Sequence, residues 1–266
     1  TRGIYLLIPS NNVRPTISFT LSGRGTYNYH YHLSNAANSL LPIERLDVPV
    51  AHPGAGPDPT VEPPEGFTTA QDPVDDQLVI RMQAIPRRTI LMRSNLIPAG
   101  GAVDFSIGSS ALAGIGKVQV FGTHPDISCN AGVCATIDGE NEETIRSAEL
   151  EQEAKPLLDL SAEVWTAVPA IPAASSSVVV SVIKKEIATW PDKRQASLAF
   201  VARANPRLDK LKATLAANRD DDAAAQIAGF KALIRSTAAG DLSEAGRSVL
   251  VFDLDRLGYR KRSSKR

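Results

Sequence analysis

Apolar residues recur with period two along most of the first 185 residues and with period three to four after Trp190. In Thr16-Ile-Ser-Phe-Thr-Leu21, Ile17, Phe19 and Leu21 fall on one side and Thr16, Ser18 and Thr20 on the other. That alternation predicts a half-buried antiparallel strand. Tyr27-Asn-Tyr-His-Tyr-His32 repeats it, with three tyrosines on one face and Asn28, His30 and His32 on the opposite one. Ile4–Ile8, Gln77–Ala84, Thr89–Arg93, Ala102–Ile107, Lys117–Thr123 and Val133–Ile137 are further short strand segments bounded by turn formers. Val178-Val-Val-Ser-Val-Ile183 predicts the strongest strand of all, because β-branched residues suit a pleated surface.

Residues 49–76 interrupt the alternation with Pro49, Pro53, Pro57, Pro59, Pro63, Pro64 and Pro73. Proline lacks a backbone donor and fixes φ, so an extended loop is expected there, functional or joining modules. Asp138–Lys155 carries a short helical pattern stopped by Pro156. Further on, Pro191 suits a first helical position and Asn205-Pro206 a second helix start. Leu208, Leu211 and Leu215 then share one face. Asp220–Asp222 can cap a third helix with Ile227, Phe230, Leu233 and Ile234 as its apolar stripe, and Asp241-Leu-Ser-Glu244 opens a fourth. Ser248–Phe252 again predicts a strand.

The expected fold is mainly β with an α-helical segment near the C-terminus, as an antiparallel β-sandwich of jelly-roll-like architecture. Its parts are a β-rich body over 1–189, a helical segment with a terminal strand over 190–252, and a basic tail over 253–266. No internal repeat and no coiled-coil heptad run is present.

Charge adds the only pointer to a partner. Arg256-Leu-Gly-Tyr-Arg-Lys-Arg-Ser-Ser-Lys-Arg266 holds six basic residues and no acid. Removing those six from 29 basic residues leaves 23 against 29 acids, so the remainder carries −6 and the segment +6. Such segregation favours a polyanion. Arg256, Arg260, Lys261, Arg262, Lys265 and Arg266 are the expected phosphate contacts, with Tyr259 available to stack on a base.

Other chemistry is mostly excluded. The loop Gly108–Lys117 has Ala111 where a phosphate loop needs glycine and Val118 where it needs a hydroxyl. His30 and His32 share a strand face, yet the next glutamate is Glu44, beyond a turn, so no metal is assigned to them. His124, Asp126, Cys129 and Cys134 cluster, but Cys-x4-Cys is not a zinc spacing and free thiols are expected. Glu140, Glu142, Glu143, Glu149, Glu151 and Glu153 read as a solvated face. No serine-triad elbow occurs; a dispersed pair such as Ser147 with Lys184 or Lys185 is the remaining route to a serine–lysine hydrolase. No catalytic residue, cofactor or metal is assigned. No apolar run reaches membrane-spanning length, the two cysteines disfavour a disulfide scaffold, and an intracellular setting is expected. Beginning at Thr1, the chain reads as a fragment or a processed product.

Short strands, Pro/Gly-rich connections and a cationic terminus resemble, in composition and layout, the coat proteins of small non-enveloped RNA viruses. That resemblance implies a non-enzymatic shell subunit that contacts copies of itself or other shell subunits. It further implies RNA bound through the C-terminal tail, and a virion or host-cytoplasm location. The alternatives are the serine–lysine peptidase and a carbohydrate- or protein-binding β-sandwich module.

Overall fold

The computed structural model describes residues 13–24, 26–51, 57–74, 77–85, 95–122, 161–172 and 175–263, with Arg24 and 258–263 described by backbone alone. The expected strands at Ile4–Ile8, Thr89–Arg93 and Val133–Ile137 and the helix at Asp138–Lys155 lie outside these residues. The described strands are β1 (Pro15–Arg24), β2 (Thr26–Asn35), β3 (Ile43–Ala51), β4 (Thr60–Glu62), β5 (Phe67–Val74), β6 (Gln77–Ala84), β7 (Ala102–Ser109), β8 (Leu112–Gly122) and β9 (Ser161–Ile171). The helices that follow are α1 (Ser176–Ala188), α2 (Leu198–Ala216), α3 (Asp220–Ser236) and α4 (Glu244–Ser263). The class is mainly β.

All strand pairs are antiparallel, in a four-stranded sheet ordered β1-β2-β7-β4 and a five-stranded sheet ordered β5-β6-β3-β8-β9. One core cluster draws on both sheets and on the helices. Tyr27, Tyr29 and Tyr31 enter it from β2, while Asn28, His30 and His32 face outward, as the alternation requires. Two phenols leave the four-stranded sheet: Tyr31 donates to the Ala167 carbonyl on β9 of the second sheet at 2.9 Å, and Tyr29 to the Ala111 carbonyl between β7 and β8 at 2.7 Å. Between β7 and β8 the chain changes sheets through Ser110 and Ala111 alone. The glycine-bearing loop at 108–117 is therefore a tight corner leading into a strand.

Several expectations are corrected. Residues 49–76 are not one loop: β3 runs to Ala51, and β4 and β5 follow. Pro49 and Pro73 sit where a missing donor is tolerated. Pro73 lies on the edge strand β5, and β8's pairing with β3 ends at Asp47, before Pro49. Val178–Ile183 is part of α1, not a strand. Val179, Val180, Ile183 and Ile187 bury one helical face, so packing overrides β propensity. Ser248–Phe252 likewise belongs to α4, whose buried positions include Val249, Leu250, Phe252, Leu254 and Leu257.

Pro191 sits in a turn before Ser197, the residue that caps α2 by accepting from the Phe200 N–H. Asn205-Pro206 lies inside α2, so it starts no helix. Leu208, Leu211 and Leu215 are buried there as expected. In α3 the first turn holds Asp220, Asp221 and Asp222, favourable beside the helix N-terminus, and Ile227, Phe230 and Ile234 are buried. The fourth helix begins near Glu244, with Ser243 Oγ accepting from the Gly246 N–H.

Candidate functional site

The basic segment is rooted in the body by α4. Leu257 is fully buried, and the Arg256 guanidinium lies 4.9 Å from the Phe252 ring centre and 5.8 Å from that of Tyr27. Those two rings meet edge to face at 5.4 Å. Arg256 is thus engaged by aromatic faces, where a cation gains from the ring quadrupole. The helical backbone continues through Tyr259, Arg260, Lys261 and Arg262 to Ser263, six residues past Leu257. Lys265 and Arg266 lie outside the described residues.

One turn before this root, Asp253 is completely enclosed. Its Oδ1 accepts from the Ala113 N–H at 3.1 Å. Burial pushes the Asp253 carboxyl well above the usual carboxylate range, the Ala113 N–H opposes this, and the charge of Glu186 adds to it. Burial, reinforced by Asp253, also raises the Tyr29 phenol. Two residues along β8, Glu186 Oε1 takes the Ile115 N–H at 3.3 Å, while Lys193 Nζ donates to the Ile115 carbonyl at 2.8 Å. Glu186 also meets Lys193 at 2.9 Å and the Trp190 indole N–H at 3.3 Å. The pairing of β3 with β8 spans only Gln119–Gly122 of β8. Side chains of α1, α4 and the 189–197 connection therefore occupy an edge of β8 where a neighbouring strand would otherwise sit.

The outward face of the four-stranded sheet is chemically different. Register aligns Thr20, His30, Ser106 and Glu62 in one row across four strands, and Ser18, His32 and Asp104 in the next. These residues line an open depression of about 480 Å³, walled on one side by Pro63. Ser106 Oγ donates to Glu62 Oε2 at 2.7 Å, and His32 Nδ1 lies 2.8 Å from Asp104 Oδ1. No lysine or arginine is among the lining residues. Among the described residues, no three His, Cys, Asp or Glu side chains gather closely enough to hold a metal ion. The face therefore presents acceptors and hydroxyls with little to attract an anion.

Of the remaining sequence candidates, Lys184 is engaged by Asp209 at 2.6 Å. Ser147, His124, Asp126, Cys129, Cys134 and the glutamates at 140–153 lie outside the described residues. Sequence reasoning singled out His30 and His32 but not Glu62, Asp104 or Ser106. Alternation within β7 could have found Asp104 and Ser106, whereas Glu62 was hidden in a proline-rich stretch. No described helix is long and apolar enough to cross a membrane. Neither a scan against protein-family models nor a search of the curated proteins finds a match to this chain.

Proposed function

We propose that the protein is a self-associating structural subunit of the coat-protein kind. Its jelly-roll-like β-sandwich forms the wall, and its basic C-terminal segment contacts the RNA of a small non-enveloped virus, in the virion or the host cytoplasm. It acts without catalysis. The observation that carries this reading is the separation of charge, +6 within 256–266 against −6 elsewhere. Support comes from α4, whose backbone runs six residues past the buried Leu257. With Arg256 engaged by Phe252 and Tyr27, the phosphate contacts fall to Arg260, Lys261, Arg262, Lys265 and Arg266, and Tyr259 is the stacking residue.

Five contacts imply a log–log salt slope of roughly −3.5 on single-stranded RNA. Filter binding across a salt series, with full-length protein and a variant lacking residues 260–266, tests the RNA contact. The truncation should flatten the slope, and an unchanged slope would refute it. Electron microscopy for particles and sedimentation for discrete assemblies test the subunit role.

The open face on the four-stranded sheet favours a second reading, a carbohydrate- or protein-binding module. Its carboxylates, imidazoles and hydroxyls suit a ligand rich in hydrogen-bond donors. A glycan array would separate the two, since a shell subunit of this kind needs no sugar.

A further inference from the structure

The depression on the outward face of the four-stranded sheet is acidic by composition, with Glu62 and Asp104 lining it and no lysine or arginine beside them. Each carboxylate uses one oxygen to hold a neighbour, Ser106 for Glu62 and His32 for Asp104. A phosphate or sulfate would meet two like charges there. Guanidinium and ammonium groups bring both the donors and the charge this surface lacks. The volume of about 480 Å³ is in the range of sites that enclose small ligands or a few side chains.

The chain itself carries a segment of that chemistry. Residues 256–266 hold six cations and no acid, and the rest of the molecule is net negative by the same amount. Within one copy the segment is rooted on the wrong side of the sheet. Arg256 rests over Tyr27, whose ring faces the core, whereas His30 and His32 point out of the opposite face. We infer that this depression receives the basic 256–266 segment of a second copy, whose Arg and Lys side chains pair with Glu62 and Asp104. The inference rests on, and deepens, the self-association half of the proposed role, and does not require RNA. A contact from the end of one subunit to the sheet of another closes into a two-fold dimer when two copies exchange segments, and propagates into rings or open chains when they do not. RNA would compete for the same cations, so nucleic acid and neighbour would exclude each other at this segment.

Sedimentation equilibrium of the full chain over a concentration series, at low and high salt and without RNA, tests the contact. The average mass should rise above 28.4 kDa with concentration at low salt, and return toward it as salt screens the pairs. Neutralising the depression with Glu62→Gln and Asp104→Asn keeps hydrogen-bond acceptors for Ser106 and His32. It should raise the apparent dissociation constant about tenfold, the size expected of two screened ion pairs. Arg260→Gln with Lys261→Gln, placed in the stretch of α4 that follows Leu257, should weaken association similarly, and adding the depression changes should then cost little more. If the chain associates but the Glu62/Asp104 variant does so with undiminished strength, the inference fails while self-association stands. If the chain keeps the mass of a monomer at every concentration, both fail. A basic segment folded onto its own copy would give that second result.

Discussion

Glu186 and Lys193, paired at 2.9 Å, between them occupy both backbone groups of Ile115 on β8. An ion pair thereby does the work of a strand neighbour. With Asp253 on the Ala113 N–H, it joins the helices to the five-stranded sheet through polar contacts set into an otherwise apolar junction. Buried backbone groups left without such partners are costly.

Glu186→Ala should therefore lower unfolding free energy by about 2–4 kcal/mol, because it strands Lys193 and the Ile115 N–H in a half-buried site. Lys184→Ala, which breaks the exposed pair with Asp209, should cost no more than about 1 kcal/mol. Urea denaturation at neutral pH measures both, and equal losses would contradict the role given to Glu186.

The pH dependence follows from Asp253. A carboxyl whose folded pKa is raised holds its proton more tightly folded than unfolded. Its stabilising contribution is complete below the ordinary carboxylate range and is lost as pH rises through the folded pKa. Asp253→Asn retains an oxygen for the Ala113 N–H and removes the titration. The difference in melting temperature between the variant and the parent protein should therefore move in favour of asparagine as pH is raised from about 4 upward. A difference that stays flat with pH would contradict the buried acid.

Arg256 and the residues beyond it should separate in experiment. Arg256→Ala removes a cation from the Phe252 and Tyr27 faces and should cost about 1 kcal/mol of stability, with little change in the salt slope of RNA binding. Loss of 260–266 should do the reverse. Thermal melts and filter binding on both variants check the division.

Two glycines should respond in opposite directions to alanine. A Cβ at Gly114 in β8 would lie 2.5 Å from Ala170 Cβ, and the resulting overpacking should destabilise by about 1–3 kcal/mol. A Cβ at Gly229, exposed in the middle of α3, would meet nothing within 4 Å, so alanine there should stabilise by about 0.5–1 kcal/mol through helix propensity. Calorimetry of the two variants reads both signs.

β2 was legible because one face is buried and the other exposed, and β1 because a half-buried apolar face alternates with an exposed polar one; β6 and β7 carry the same alternation of apolar residues less strictly. α1 was not legible, since Val178–Ile183 is a short apolar run that looks alike as a strand or as a helix. Only packing at Val179, Val180, Ile183 and Ile187 decides it. Ser248–Phe252 failed in the same way. β9 holds strand formers in Val164, Trp165, Thr166, Val168 and Ile171, but interleaved Ala and Pro169 break its alternation and hid it; Pro169 is tolerated on an edge strand opposite Ala113. The depression is built from four separate stretches of sequence, and only the registers of β2 with β7 and of β7 with β4 bring Glu62 beside Ser106 and in line with His30.

Because β7 lies between β2 and β4, the four-stranded sheet cannot be completed in the order in which the ribosome makes it. β1 and β2 form a hairpin as soon as residue 35 has emerged, yet that hairpin must wait for Ser109 before Tyr27, Tyr29 and Tyr31 gain their neighbours on β7. The Tyr31 hydroxyl waits longer still, for Ala167. Through most of its synthesis the chain exposes a three-tyrosine apolar face and an unpaired edge, while the late helices close through nearby residues and form quickly. The apolar face of β2 thus stays without its full native cover until Ala167 has been made.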